Sequence, residues 1–148
     1  MSVRGMSLVV AVLLVVCAAC ASAQEKLGDL VSEGGYEWII GRWVATTDEG
    51  QTVYLQYDWG LDKRVVLVDL GMGGFQYRGL VMFAPARQEI FEVGADSRGG
   101  VWKGTWQEES GDLVHRVEHT GVSGEVNKGE IVYSRGDADT MTVGIYAV

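Results

Sequence analysis

The first 23 residues carry one pattern and the rest of the chain another. Leu8 to Val16 is an unbroken apolar run. Arg4 stands before it, and the small residues Ala21-Ser22-Ala23 follow it. A positive start, a short apolar stretch and a small-residue end make a secretory signal, too short to span a bilayer comfortably. Cleavage is expected after Ala23, so that residues 24–148 form the working domain. From Ile39 onward apolar and polar residues alternate with period two, broken by turn-forming residues every 8–12 positions. That is the pattern of antiparallel strands in a meander. The strands expected are 39–47, 51–59, 63–71, 74–84, 88–97, 100–108, 112–120, 125–134 and 139–147. Asp48-Glu49-Gly50, Gly60-Leu61-Asp62, Ser97-Arg98-Gly99-Gly100 and Ser110-Gly111-Asp112 supply the turns, and Pro85 falls between two strands. Between the signal and the first strand, Leu27, Leu30 and Val31 have helical spacing and Gly34-Gly35 ends it, which predicts a short helix or turn.

The alternation sorts the side chains into faces. Val53, Leu55, Tyr57 and Trp59 share one side of their strand. Phe75, Tyr77, Val81 and Phe83 do the same in another. Phe91, Val93 and Ala95 lie opposite Glu92 and Asp96; Trp102 and Trp106 form one set; Leu113, His115, Val117 and His119 form the next; Ile131 and Tyr133 lie opposite Lys128 and Glu130. Strand 63–71 is apolar on both sides and its face stays open. An open sheet of about 8–10 strands exposes two edges, so the expected fold is all-β, an up-and-down meander closed into a barrel. No linker, charge block or repeat divides residues 24–148, which read as one domain.

Composition narrows the function. The chain has 148 residues, a formal net charge of −8, 21 Gly, one Pro, two Cys and two His. It is too short for a TIM barrel or a two-domain enzyme and too apolar for disorder. The acidic balance argues against a nucleic-acid partner. Both cysteines, Cys17 and Cys20, lie in the signal, so the processed chain has neither disulfide nor thiolate chemistry. Cys20 offers a lipid anchor as the alternative to simple cleavage, although Cys17 stands where a lipoprotein signal has Leu. Without either, no stable membrane insertion is expected after cleavage.

The segment Trp38-Ile39-Ile40-Gly41-Arg42-Trp43 is a W-x-x-G-x-W opening before the first strand. Ala84-Pro85-Ala86, the turn Asp96-Ser97-Arg98-Gly99-Gly100 and the strand Gly104-Thr105-Trp106 follow at intervals. Together these resemble the calycin-like barrels of the lipocalin and fatty-acid-binding-protein kind, and more closely a group of small secreted bacterial domains of unknown function. The resemblance implies structural roles for Trp38, Gly41 and Trp43: Trp43 plugging the barrel base, and Gly41 turning the backbone into the first strand. Some calycin relatives bind haem through a His. Here Val44-Ala45-Thr46 departs from their glycine-rich opening, and no cofactor is assigned.

His115-Arg116-Val117-Glu118-His119 matches H-x-x-E-H, a zinc-protease motif that needs a helix. On a strand the two His stand about 13 Å apart at roughly 3.3 Å per residue and cannot share one zinc. Gly71-Met72-Gly73-Gly74 lacks the Lys-Ser/Thr of a phosphate loop and reads as a hairpin turn. Gly121-Val122-Ser123-Gly124 does not have the nucleophile-elbow pattern. Acidic residues are expected mostly on turns and outward faces, so no acid–base pair is visible and no catalytic or metal-binding set is assigned. The inward set is rich in aromatics with polar tips, and each buried tip needs a partner. The leading expectation is therefore a secreted or periplasmic, non-enzymatic barrel that binds a small hydrophobic or amphipathic molecule. Tyr57, Tyr77, Trp106, His115 and Tyr133 are the expected lining. The alternative is a structural or interaction module of the cell envelope with a filled core. An enzyme, or a haem or metal binder using His115, ranks below both.

Overall fold

A computed structural model describes residues 25–148. The expected signal segment, with Arg4, Cys17, Cys20 and the cleavage point at Ala23, lies outside the described residues. A short helix, α1 (Leu27–Glu33), comes first. Asp29 accepts a hydrogen bond from the Lys26 backbone N–H at 3.1 Å, closing the first turn. Gly34 donates to the Leu30 carbonyl and Gly35 turns left-handed at φ +74°, ending the helix as the double glycine predicts.

Nine antiparallel strands follow: β1 (Gly41–Thr46), β2 (Thr52–Gly60), β3 (Val65–Met72), β4 (Phe75–Ala84), β5 (Glu89–Asp96), β6 (Val101–Glu109), β7 (Asp112–Thr120), β8 (Val126–Arg135) and β9 (Met141–Ala147). They pair strictly with their sequence neighbours in one sheet, β1 to β9. The expected all-β meander is what forms. The sheet curls as a half-barrel. Curling brings inner-face side chains of distant strands together, but among the described residues the ladders end at β1 and β9 without joining them.

Each expected turn is a hairpin connection, Gly71 to Gly74 included, with Gly73 at φ +57°. Strand β3, apolar on both sides in the sequence, turns Val66 and Val68 into the core, while Leu67 on the other side is 44 % exposed. The register explains this: Val66 and Val68 lie between Trp59 and Tyr57 of β2 and Val81 and Gly79 of β4.

One end of the half-barrel is held by the N-terminal segment. Tyr36 leads into a single 3-10 turn, Glu37–Ile39. Gly41 then enters β1 at φ +136°, a backbone angle that side chains avoid. Trp43 donates from Nε1 to the Ile39 carbonyl at 2.9 Å and meets Trp38 edge-on at 6.5 Å between ring centres. The W-x-x-G-x-W segment is thus a closed local unit, packed against the core. Helix α1 sits on the β2–β3 turn, where the Gly28 N–H donates to the Lys63 carbonyl at 2.9 Å and Lys26 pairs with Asp62 at 2.5 Å.

Candidate functional site: an acid–aromatic–histidine network

Strand β5 overturns one sequence expectation. Phe91, Val93 and Ala95 were expected on the apolar side, with Glu92 and Asp96 outward. The observed faces are reversed. Glu92 is 3 % exposed and points inward, whereas Val93 is 40 % exposed. The cause is tertiary. Register places Glu92 between Val81 of β4 and Gly104 of β6, and Asp96 beside Tyr77. Three successive inner-face strands therefore dictate the parity of β5, whatever its own hydrophobicity prefers.

A buried carboxylate is tolerated only when its oxygens are bonded. Glu92 meets that condition. Tyr77 donates its hydroxyl to Oε1 at 2.5 Å, and Trp106 donates from Nε1 to Oε2 at 2.9 Å. The Tyr77 hydroxyl passes over Gly79 and Gly94, where a Cβ would collide with it. His115 stacks on Trp106, with ring centres 4.4 Å apart and planes at 8°. Its Nε2 points into the space above Gly104, where a Cβ would lie 2.5 Å away. That nitrogen is 3.7 Å from Glu92 Oε2, beyond hydrogen-bond reach, and is buried without a partner among the described residues. Tyr57 and Tyr133 complete the cluster with a hydroxyl–hydroxyl bond of 3.1 Å, and both rings contact Trp106.

Tyr57, Tyr77, Trp106, His115 and Tyr133 are thus brought together around one carboxylate. Glu92, at the centre, is the residue that sequence reasoning missed. The only trace of it in the sequence is its spacing to Asp96, which matches the four-residue spacing of Trp102–Trp106 and of His115–His119.

That spacing reflects a repeated arrangement. One turn-ward step along the same three strands, Trp102 donates from Nε1 to Asp96 Oδ2 at 2.8 Å. His119 Nε2 lies 3.1 Å from the same oxygen, and its ring packs on Trp102 at 4.4 Å. Asp96 Oδ1 also accepts the backbone N–H groups of Arg98 and Gly100. The expected absence of inward acid–base pairs is therefore corrected: β5, β6 and β7 carry two acid–Trp–His units. The inner one is buried and its His–acid contact is open; the outer one is closed, with His119 partly exposed.

The environments set the charges. Burial drives the His115 pKa down to about 3, so this imidazole is neutral at physiological pH. Burial raises the Glu92 pKa, opposed by the bonds from Tyr77 and Trp106. Burial would raise Asp96 too, but the bonds from Trp102, Gly100, Arg98 and His119 outweigh it and hold the carboxyl at about 2. Burial also raises the phenols of Tyr57, Tyr77 and Tyr133.

His115 and His119 both lie on β7 and stand beside different acids, so the H-x-x-E-H segment has neither the helix nor the convergence of a zinc-protease site. Glu118 faces the other way, paired with Lys103 and Lys128. Among the described residues no group of three or more His, Cys, Asp or Glu is placed to hold a metal ion. No helix among them is long and apolar enough to cross a membrane.

Comparison with protein-family models, curated proteins and solved structures finds no match to this chain.

Proposed function

We propose that the protein is an exported, non-enzymatic binding module that takes a small hydrophobic or amphipathic molecule on the inner face of its half-barrel. The observation that carries this reading is His115 Nε2. A buried nitrogen without a hydrogen-bond partner costs about 1–3 kcal/mol, and such groups in folded proteins call for an explanation. Here it sits among aromatic faces beside a carboxylate, the mixture of apolar contact and few polar anchors that ligand sites use. A ligand polar group of neutral hydrogen-bonding character, an alcohol or a protonated acid, suits this position better than an ion, because neither His115 nor the space around it favours added charge. Half-buried Ile131 and Leu113 next to it supply apolar contact for the remainder.

The test is thermal and mobility shift of the protein with fatty acids, haem and aromatic dyes, the bound species then being mapped by amide NMR shifts. A saturable shift centred on Tyr57, Trp106 and Tyr133, weakened in His115→Leu, supports the reading. Stability unchanged by every probe overturns it.

A second reading has its own support. The Tyr57–Tyr133 and Tyr77–Glu92 bonds satisfy these tips with one another, as a filled core would. In that case the protein acts through its outer surface as a structural or interaction module of the cell envelope. Export itself rests on the sequence pattern of residues 1–23, and a secreted or periplasmic form beginning at Gln24, read by intact-protein mass, tests it. A mass retaining the first 23 residues, or one carrying lipid at Cys20, would overturn simple cleavage.

A further inference from the structure

The curled sheet has two free edges, and they are built differently. Among the described residues β1 and β9 each bond to one neighbouring strand only. β1 carries Arg42 and runs into the charged turn Asp48-Glu49-Gly50. Charge on an edge guards it against a further strand. β9, Met141–Ala147, has no proline and no charged residue, the one strand of the nine without a charge.

The backbone of β9 leaves a regular row of groups open. Its register sets Gly144 opposite Val132 and Ile145 opposite Ile131. Just past the strand, the Val148 N–H donates to the Lys128 carbonyl at 3.2 Å. In an antiparallel ladder, pairs that exchange hydrogen bonds alternate with pairs that do not. Counting back from Val148, the residues of β9 bonded to β8 are Tyr146, Gly144 and Thr142. Met141, Val143, Ile145 and Ala147 aim their N–H and C=O groups at the free edge. Their side chains lie on the inner face, since Val143 stands opposite Tyr133 and Ile145 opposite Ile131. Ile145 is nonetheless 78 % exposed, because no strand among the described residues continues the sheet beyond it.

We propose that this edge pairs with the same edge of a second copy, in an antiparallel two-fold dimer centred on Gly144. Three observations point to that occupant. Gly144 is the midpoint of Met141–Ala147, so a two-fold axis there overlaps the whole strand with itself. Val143 then meets the partner's Ile145 with both backbones aimed at each other and both side chains on the inner face, so ladder bonds and apolar contact form together. The axis itself falls on a pair without exchanged bonds, where Cα atoms approach to about 4.5 Å. Glycine puts no side chain there; a Cβ would lie 2.7 Å from the Tyr146 hydroxyl, which crosses that position. Finally, a formal net charge of −8 makes two copies repel over most of their surface, and the uncharged strand is where that repulsion is weakest. One strand pair buries less than the about 800 Å² per partner of a standard interface, so the dimer should dissociate on dilution. The pairing uses no member of the Glu92 network and stands apart from the ligand reading.

Sedimentation velocity of the purified protein from about 1 µM to about 1 mM tests this. A monomer–dimer equilibrium is expected, with concentration-dependent ¹⁵N amide shifts at Val143, Ile145 and Ala147 and none in β1. Ile145→Lys places a charge on each side of the two-fold contact, at a side chain the monomer leaves exposed. It should weaken dimerisation at least tenfold and keep the monomer's amide spectrum. Val143→Pro removes an N–H that β8 does not use and should weaken the dimer as much, so it decides the matter if the lysine variant fails to fold. Val44→Lys, at an exposed position of the β1 edge, should leave the dimer unchanged. A monomer at every concentration overturns the proposal. So does a dimer insensitive to both β9 variants, or loss of the dimer in Val44→Lys. Growth beyond the dimer also overturns it, since it would mean that β9 pairs head to tail with β1.

Discussion

His115 shows how one side chain can tie stability to pH. Its folded pKa of about 3 lies below the ordinary 6.5 because burial disfavours the imidazolium. Between those values the unfolded chain binds the proton and the folded chain does not. The contribution of His115 is therefore complete above about pH 6.5 and is lost as the pH falls toward 3. Glu92 works the other way near its own titration: with its carboxyl raised, the folded chain takes up the proton first, so raising the pH through that range removes stability. Replacing His115 by Gln removes the first effect and leaves the second. Wild type should lose about 2 kcal/mol relative to His115→Gln between pH 7 and pH 5. Urea unfolding of both proteins at the two pH values measures this, and parallel pH profiles would contradict it.

At the scale of elements, the β2–β3 turn is under strain that the N-terminal segment offsets. Leu61, Asp62 and Lys63 are three successive non-glycine residues with positive φ, at 49°, 55° and 60°. Left-handed backbone costs roughly 1–2 kcal/mol per ordinary residue. Asp62 and Lys63 are held there by α1, through Lys26 and the Gly28 N–H, and Lys63 also lies over the Trp59 ring. Leu61 is 73 % exposed and has no such compensation. Asn tolerates this conformation far better than Leu. Leu61→Asn is therefore expected to raise stability by roughly 0.5–1 kcal/mol, seen as a higher urea midpoint at unchanged slope. A lower midpoint would mean that Leu61 contributes apolar contact outweighing the strain.

Across the whole molecule, stability should grade with position in the sheet. Strands β2 to β8 are bonded on both sides, and the buried core lies chiefly on β2, β3, β4, β7 and β8 with the Glu92 network between them. β1 and β9 are bonded on one side, and on β9 Ile145 is 78 % exposed. Amide hydrogen exchange should be slowest in β3 to β7 and fastest in β1 and β9, because opening an end strand breaks one ladder instead of two. Protection in β9 equal to that in β5 would refute this gradient.

The amino-acid sequence by itself determined the elements. Period-two alternation and Gly- or Asp-bearing turns placed nine strands to within a residue or two at most ends, and Gly34-Gly35 marked the end of α1. It also named five inner residues that meet, because aromatic side chains on alternating positions leave little choice of face. Strand β5 was illegible for a physical reason. Phe91, Val93 and Ala95 look like the buried side, yet their own apolarity is a weak preference beside the pairing of Glu92 with Tyr77 and Trp106, which lie 15 and 14 residues away. A carboxylate can be read as buried only when its donors are known, and those come from β4 and β6 once the sheet has formed. The tertiary structure alone therefore decided where the acids point and which histidine closes on its partner. It also decided that Val93, on the apolar side of β5 in the sequence, faces solvent.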